Sequence, residues 1–144
     1  MPLGRATFSC GSSLPLLRGM VVRSYWVSIR RTTQIRQFVQ RAGLIYIGDA
    51  LPKSFPRHAF KIVRNAVVGD LKPKEIVLFD WTAGYGRGRF GQTIVAIRPL
   101  DGAEFDVAQL TTGLTTSTTR KWTLVYRPKQ FLSVAEIEAL VDNL

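Results

Sequence analysis

Two side chains are nearly missing. The 144 residues contain one cysteine, Cys10, and one histidine, His58. A disulfide framework is excluded, and neither residue has companions at the spacing a zinc site needs. Ser/His/Asp catalysis would have to run through His58, which stands in the basic stretch "PRHAFK" and reads as a surface or phosphate-facing side chain. Acid is absent from the first 48 residues; Asp49 is the first carboxylate. No uninterrupted apolar run approaches the ~18 residues a membrane-spanning helix needs. The carboxylates that do cluster are Asp101/Glu104/Asp106 and Glu136/Glu138/Asp142. They fall in a turn region and on an exposed helix face, where solvated charge is the default. The expectation is a non-enzymatic protein with no metal, no cofactor and no small-molecule substrate.

What is abundant is positive charge. The net charge is +10, and it is uneven. Residues 1–70 carry 11 Lys/Arg against 2 Asp/Glu, whereas residues 71–144 carry 9 against 8. The first half is therefore the half that would meet a polyanion. Part of its charge is address. Residues 1–22, rich in Arg, Ser and Leu, resemble a mitochondrial targeting segment, and Arg5 and Arg18 belong to it. The apolar fraction of 46% is enough for a packed core.

Periodicity then predicts the elements. "RSYWVSIRR" (23–31) alternates Tyr25, Val27 and Ile29, as a half-buried strand does. Ile35, Phe38, Val39 and Ala42 form one helical stripe, capped at Thr32 or Thr33 and stopped at Gly43. "LIYIGDAL" (44–51) reads as a strand or ordered loop. "PKSFPRHAFKIVRN" (52–65) reads as a second helix, with Ser54 as cap and Pro56 in the first turn. "AVVGDL" (66–71) is a short strand. Four further strands are expected in "EIVLFDW", "QTIVAIRPL", "EFDVAQLTT" and "KWTLVYRPK". Asp101-Gly102 supplies a hairpin turn, and "TTGLTTSTTR" a polar, flexible loop. Ser133 and Glu136 form a capping box for a last helix with Ile137, Leu140, Val141 and Leu144 on one face. The expected class is α+β. It comprises a leader (1–22), a basic β-α-β-α-β module of ferredoxin-like type (23–71), and a β-rich extension with a C-terminal helix (72–144).

"AGYGRGRFG" (83–91) carries G-x-G-x-x-G at Gly86, Gly88 and Gly91. A dinucleotide site needs a helix directly after the glycines, because the pyrophosphate rests on that helix's free N–H groups. Here "QTIVAIRPL" follows, which is a strand. The glycines therefore suit a hairpin loop. Tyr85, Arg87, Arg89 and Phe90 between them also offer stacking faces and guanidinium groups to RNA.

Between Arg30 and Arg64 stand Arg30, Arg31, Arg36, Arg41, Lys53, Arg57, Lys61 and Arg64, eight cations against the single acid Asp49. Guanidinium forks suit phosphate oxygens, and several such contacts give largely sequence-independent affinity by releasing counterions. In this region "YWVSIRRT…FVQRAGLIYIGD…AFKIVRNAVVGDL" resembles the L-thirty family of large-subunit ribosomal proteins in its mitochondrial form. The resemblance spans roughly residues 24–71. It is carried by Arg31-Thr32 after a strand, Gly43-Leu44 after a helix, Lys61-Ile62-Val63-Arg64 in a later helix, and Val67-Val68 in a short strand. The Gly and Pro that members place between the first strand and first helix, contacting rRNA, are absent from "RTTQIRQ"; the resemblance then implies that Arg30, Arg31 and Arg36 would make that contact.

The resemblance implies a structural constituent of the mitochondrial ribosome in the matrix, contacting rRNA and neighbouring ribosomal proteins. The alternatives are an accessory subunit of an inner-membrane respiratory complex, its basic half on acidic subunits or anionic headgroups, and a small enzyme with a cleft at the glycine loop.

Overall fold

The apolar runs Ile76–Phe79 and Thr93–Ile97 are buried at every position, so the sheet they build must be covered on both faces. In the computed structural model, which describes residues 26–100 and 113–144, they lie at the centre of one six-stranded antiparallel sheet. Its strands are β1 (Ile45–Gly48), β2 (Ile62–Leu71), β3 (Lys74–Ala83), β4 (Phe90–Pro99), β5 (Thr115–Thr119) and β6 (Trp122–Tyr126). They run in the order β1-β2-β3-β4-β6-β5. Helix α1 covers residues 26–42 and precedes the sheet; α2 (Val134–Asp142) follows it. The class is α+β, and strands from both sides of Leu71 share one sheet.

From Ile35 on, α1 packs on one face. Ile35, Phe38 and Val39 meet Val67, Leu78 and Val95, and α2 adds Ile137, Leu140 and Val141 to the same cluster. The capping box starts α2 as its sequence requires. The Glu136 N–H donates to Ser133 Oγ at 3.1 Å, and the Ser133 N–H donates to Glu136 Oε2 at 3.3 Å. Among the described residues, no helix covers the second face. The loop 49–61 crosses it instead, setting Leu51 and Phe55 against Phe79, Ala96 and Trp122. Phe55 meets Phe79 and Trp122 edge-on at 5.6 and 5.3 Å, and its burial stabilises the fold by about 1.5–3 kcal/mol.

Three stretches depart from their periodicity. Residues 26–31, expected in a strand, are helical. The alternation of Val27 and Ile29 does not reflect burial, since both are exposed, and nothing from residue 26 to 42 breaks a helix. Residues 52–65, expected as a second helix, hold only a single 3-10 turn, Arg57–Ala59, and the start of β2. Pro56 disfavours helical backbone at Phe55, and the β-branched "KIVRNAVV" finds a ten-residue partner in β3. The β-α-β-α-β order is therefore not the order of these elements. Thr115–Thr119, expected as loop, is the edge strand β5, as a run of β-branched threonine permits. The turn at Asp101-Gly102 and the strand in "EFDVAQLTT" lie outside the described residues, as does the leader 1–22.

One polar chain runs through this apolar interior. Asn65 has φ +54°, a left-handed conformation that asparagine tolerates, and it marks a bulge where the β2–β3 register shifts between Arg64 and Val67. Tyr46 Oη donates to Asn65 Oδ1 at 3.0 Å, and Asn65 Nδ2 donates to Asp80 Oδ2 at 3.0 Å. Thr93 Oγ1 donates to Asp80 Oδ1 at 2.9 Å and accepts from the Leu132 N–H at 3.0 Å. Asp80 thereby ties β1, β2, β4 and the approach to α2 to β3. Asp80→Ala removes the acceptor of two buried bonds, and urea denaturation should show a loss of about 2–3 kcal/mol. An unchanged midpoint would show that the chain carries no such weight.

Candidate nucleic-acid interface

Strand register brings three chain segments to one end of the sheet. Ile62 pairs with Thr82, and Ala83 pairs with Phe90. The start of β2, the end of β3 and the start of β4 therefore lie side by side. The residues just beyond them are Lys61, the glycine turn and Arg89.

The glycine turn is a hairpin connection, followed by a strand, so there is no helix end to receive a pyrophosphate. Its glycines have other duties. Gly84 has φ +85°, and a Cβ there would stand 2.4 Å from the Gly88 carbonyl oxygen. A 3-10 turn, Gly86–Gly88, follows, closed by the Gly88 N–H donating to Tyr85 O at 3.0 Å. Gly88 itself meets nothing: a Cβ there would enter open space. Gly91 lies beneath the ring of Phe131. The turn thrusts Tyr85 outward, 94% exposed, with Arg87 and Arg89 exposed beside it.

A row of half-buried rings leads away from this turn. Phe90 meets Trp81 at 6.2 Å, and Trp81 meets Phe60 at 5.0 Å, both edge-on. Lys129 Nζ sits 5.8 Å from the Phe90 centroid. Beyond Phe60 is a small open cleft of about 180 Å³, lined by Asp49, Leu51, Arg57, Phe60, Lys61 and Val63 among others. Arg64 is exposed on β2 but in register with Asp80, so it projects from the sheet face opposite to Val63 and Trp81. Among the described residues, Arg57, Lys61, Arg64, Arg87 and Arg89 form no ion pair.

The other expected contact residues divide. Arg36 lies over the Tyr46 ring at 4.7 Å, and Arg41 pairs with Glu138 of α2 at 3.7 Å. Both are exposed, so these contacts are weak, but each holds its cation to the protein. Arg30 is exposed on the first part of α1 near Trp26, whereas Arg31 is half-buried and engaged. Lys53 is exposed in the loop over the second sheet face. Sequence reasoning did not find Phe60 and Trp81 as surface rings, nor Asp49 as a cleft residue. Phe60 and Trp81 are three-dimensional neighbours only through the β2–β3 register, and no local spacing encodes that.

The glycines can be sorted by substitution. Gly84→Ala should cost about 1–3 kcal/mol in thermal or urea unfolding, because it meets both positive φ and a backbone oxygen. Gly88→Ala should stay within about 0.5 kcal/mol of the parent. Equal effects would refute the division of labour.

The chain matches no protein-family model, no curated protein and no solved structure.

Proposed function

We propose that this protein is a non-enzymatic RNA-binding protein that docks folded RNA on the basic end of its sheet. We further propose that its setting is the large subunit of the mitochondrial ribosome, where it contacts rRNA and neighbouring ribosomal proteins. One observation carries the RNA assignment. Four exposed cations without ion pairs among the described residues, Arg57, Lys61, Arg87 and Arg89, stand at the end of the sheet where half-exposed rings also surface. Cations alone would suit any polyanion; rings beside them suit one whose bases can be reached. The particle and compartment rest on the Arg- and Ser-rich leader composition and on the surplus of positive charge in residues 1–70. The family resemblance carries less weight, because two of the elements behind it fold differently.

The mechanism is electrostatic. Each phosphate neutralised by Arg or Lys releases counterions, so affinity falls with salt. With about four phosphate contacts, binding to a large-subunit rRNA fragment should weaken on the order of a hundredfold between about 50 and 200 mM salt. Arg57→Gln and Arg87→Gln should each lower the salt slope by roughly one. Arg41→Gln should change it least, since Arg41 faces Glu138. Salt-insensitive binding, or none, would overturn the RNA assignment. Co-sedimentation with membrane complexes instead of ribosomal particles on a sucrose gradient would overturn the ribosomal one.

A further inference from the structure

The cleft beyond Phe60 has a chemistry that phosphate docking alone does not use. Its volume, about 180 Å³, is below the ~300 Å³ at which whole-cofactor pockets begin. A dinucleotide or a haem would not fit; one ring or one sugar would. Leu51, Phe60 and Val63 give it apolar walls, and Arg57 and Lys61 give it two cations. Asp49 is its one carboxylate and the only acid in the first 69 residues. It is exposed and has no ion-pair partner among the described residues, although Arg57 and Lys61 line the same cleft.

An acid facing a phosphate would repel it. A cleft built for phosphate alone gains nothing from Asp49. A carboxylate does, however, accept a hydrogen bond from a hydroxyl, and the hydroxyl that distinguishes RNA from DNA is the ribose 2′-OH. The cleft also opens at one end of the row Phe60–Trp81–Phe90, which leads to Tyr85 at the glycine turn. A strand lying along that row passes rings in succession, with cations on its flank, the arrangement that holds unpaired bases.

We propose that this end of the sheet binds a single-stranded segment of RNA, and that the cleft seats the ribose of one nucleotide, its base and phosphate held at the rim. Arg57 and Lys61 take the phosphate, Phe60 the base, and Asp49 accepts from the 2′-hydroxyl. This rests on the RNA-binding assignment above and narrows it from folded RNA in general to an unpaired stretch with ribose selectivity.

The test uses the full chain and three probes: a single-stranded RNA dodecamer, its 2′-deoxy counterpart, and the RNA duplex of the same sequence. The RNA single strand should bind about fivefold or more tightly than the deoxy strand. Asp49→Asn should reduce that ratio and Asp49→Ala should abolish it, with little loss for the deoxy strand. Lys61→Gln should weaken both strands alike and leave the ratio unchanged. Circular dichroism of each variant verifies the fold, and all three substitutions fall at exposed positions. A ratio near one in the parent, a ratio unmoved by Asp49→Ala, or duplex binding as tight as the single strand would overturn the proposal. In those cases salt-dependent binding of the rRNA fragment would leave the broader assignment standing. Absence of binding to every probe and to the rRNA fragment would overturn both.

Discussion

The carboxylate of Asp80 is the constraint on which this fold depends. A carboxyl group buried in an apolar sheet is expensive unless hydrogen-bonding partners surround it. Asn65 and Thr93 supply them, from the strands on either side. Meeting that demand has structural consequences. Asn65 reaches Asp80 from a left-handed bulge, and the bulge shifts the register of β2 by one residue. The register in turn decides which residues of the 52–65 stretch end at the sheet's edge and which face inward. The position of Lys61 beside the glycine turn is therefore tied to a buried acid, not to any attraction among the cations themselves.

Two kinds of covering make the two faces of the sheet different. On one, amphipathic helices supply regular stripes of Ile, Leu and Val. On the other, an irregular loop held by two prolines supplies aromatic side chains. Aromatic rings suit a loop, since each buries a large area without a regular neighbour. They also leave edges uncovered where the loop ends. That is why Phe60, Trp81 and Phe90 are half-buried and not sealed, and why polar and charged chains can approach them. A second helix on this face, of the kind the sequence suggested, would have closed the row.

Much of this architecture was legible in the sequence, and the failures have physical causes. The strands at "EIVLFDW" and "QTIVAIRPL" and the capped last helix follow from local signals that nothing contradicts. So does the hairpin at 83–91, where β-branched residues after the glycines exclude a helix. The stretches at 26–31 and 52–65 were misread because period 2 and period 3.6 overlap in short windows, and tertiary pairing decided between them. Lone Asp80 inside "IVLFDW" was visible as an acid among apolar neighbours, but its partners Asn65 and Thr93 are fixed only by register. The cations were all visible. What composition could not separate was a guanidinium held to Tyr46 or Glu138 from one with no acidic neighbour, because that distinction depends on which helix packs beside which strand.

The two margins of the sheet carry a further consequence. Strand β1 has four residues and a register break between Tyr46 and Gly48, and β5 is a short run of Thr and Ser. Unpaired backbone at a margin invites another polypeptide to zip onto it, and short, interrupted or hydroxyl-rich margins discourage that. Among the described residues, the ten-residue strands β2, β3 and β4 all lie in the interior of the sheet. Crowding with copies of itself is thus met by margins that offer little purchase for fibril growth, which matters for a chain whose central segments would otherwise be strongly prone to it.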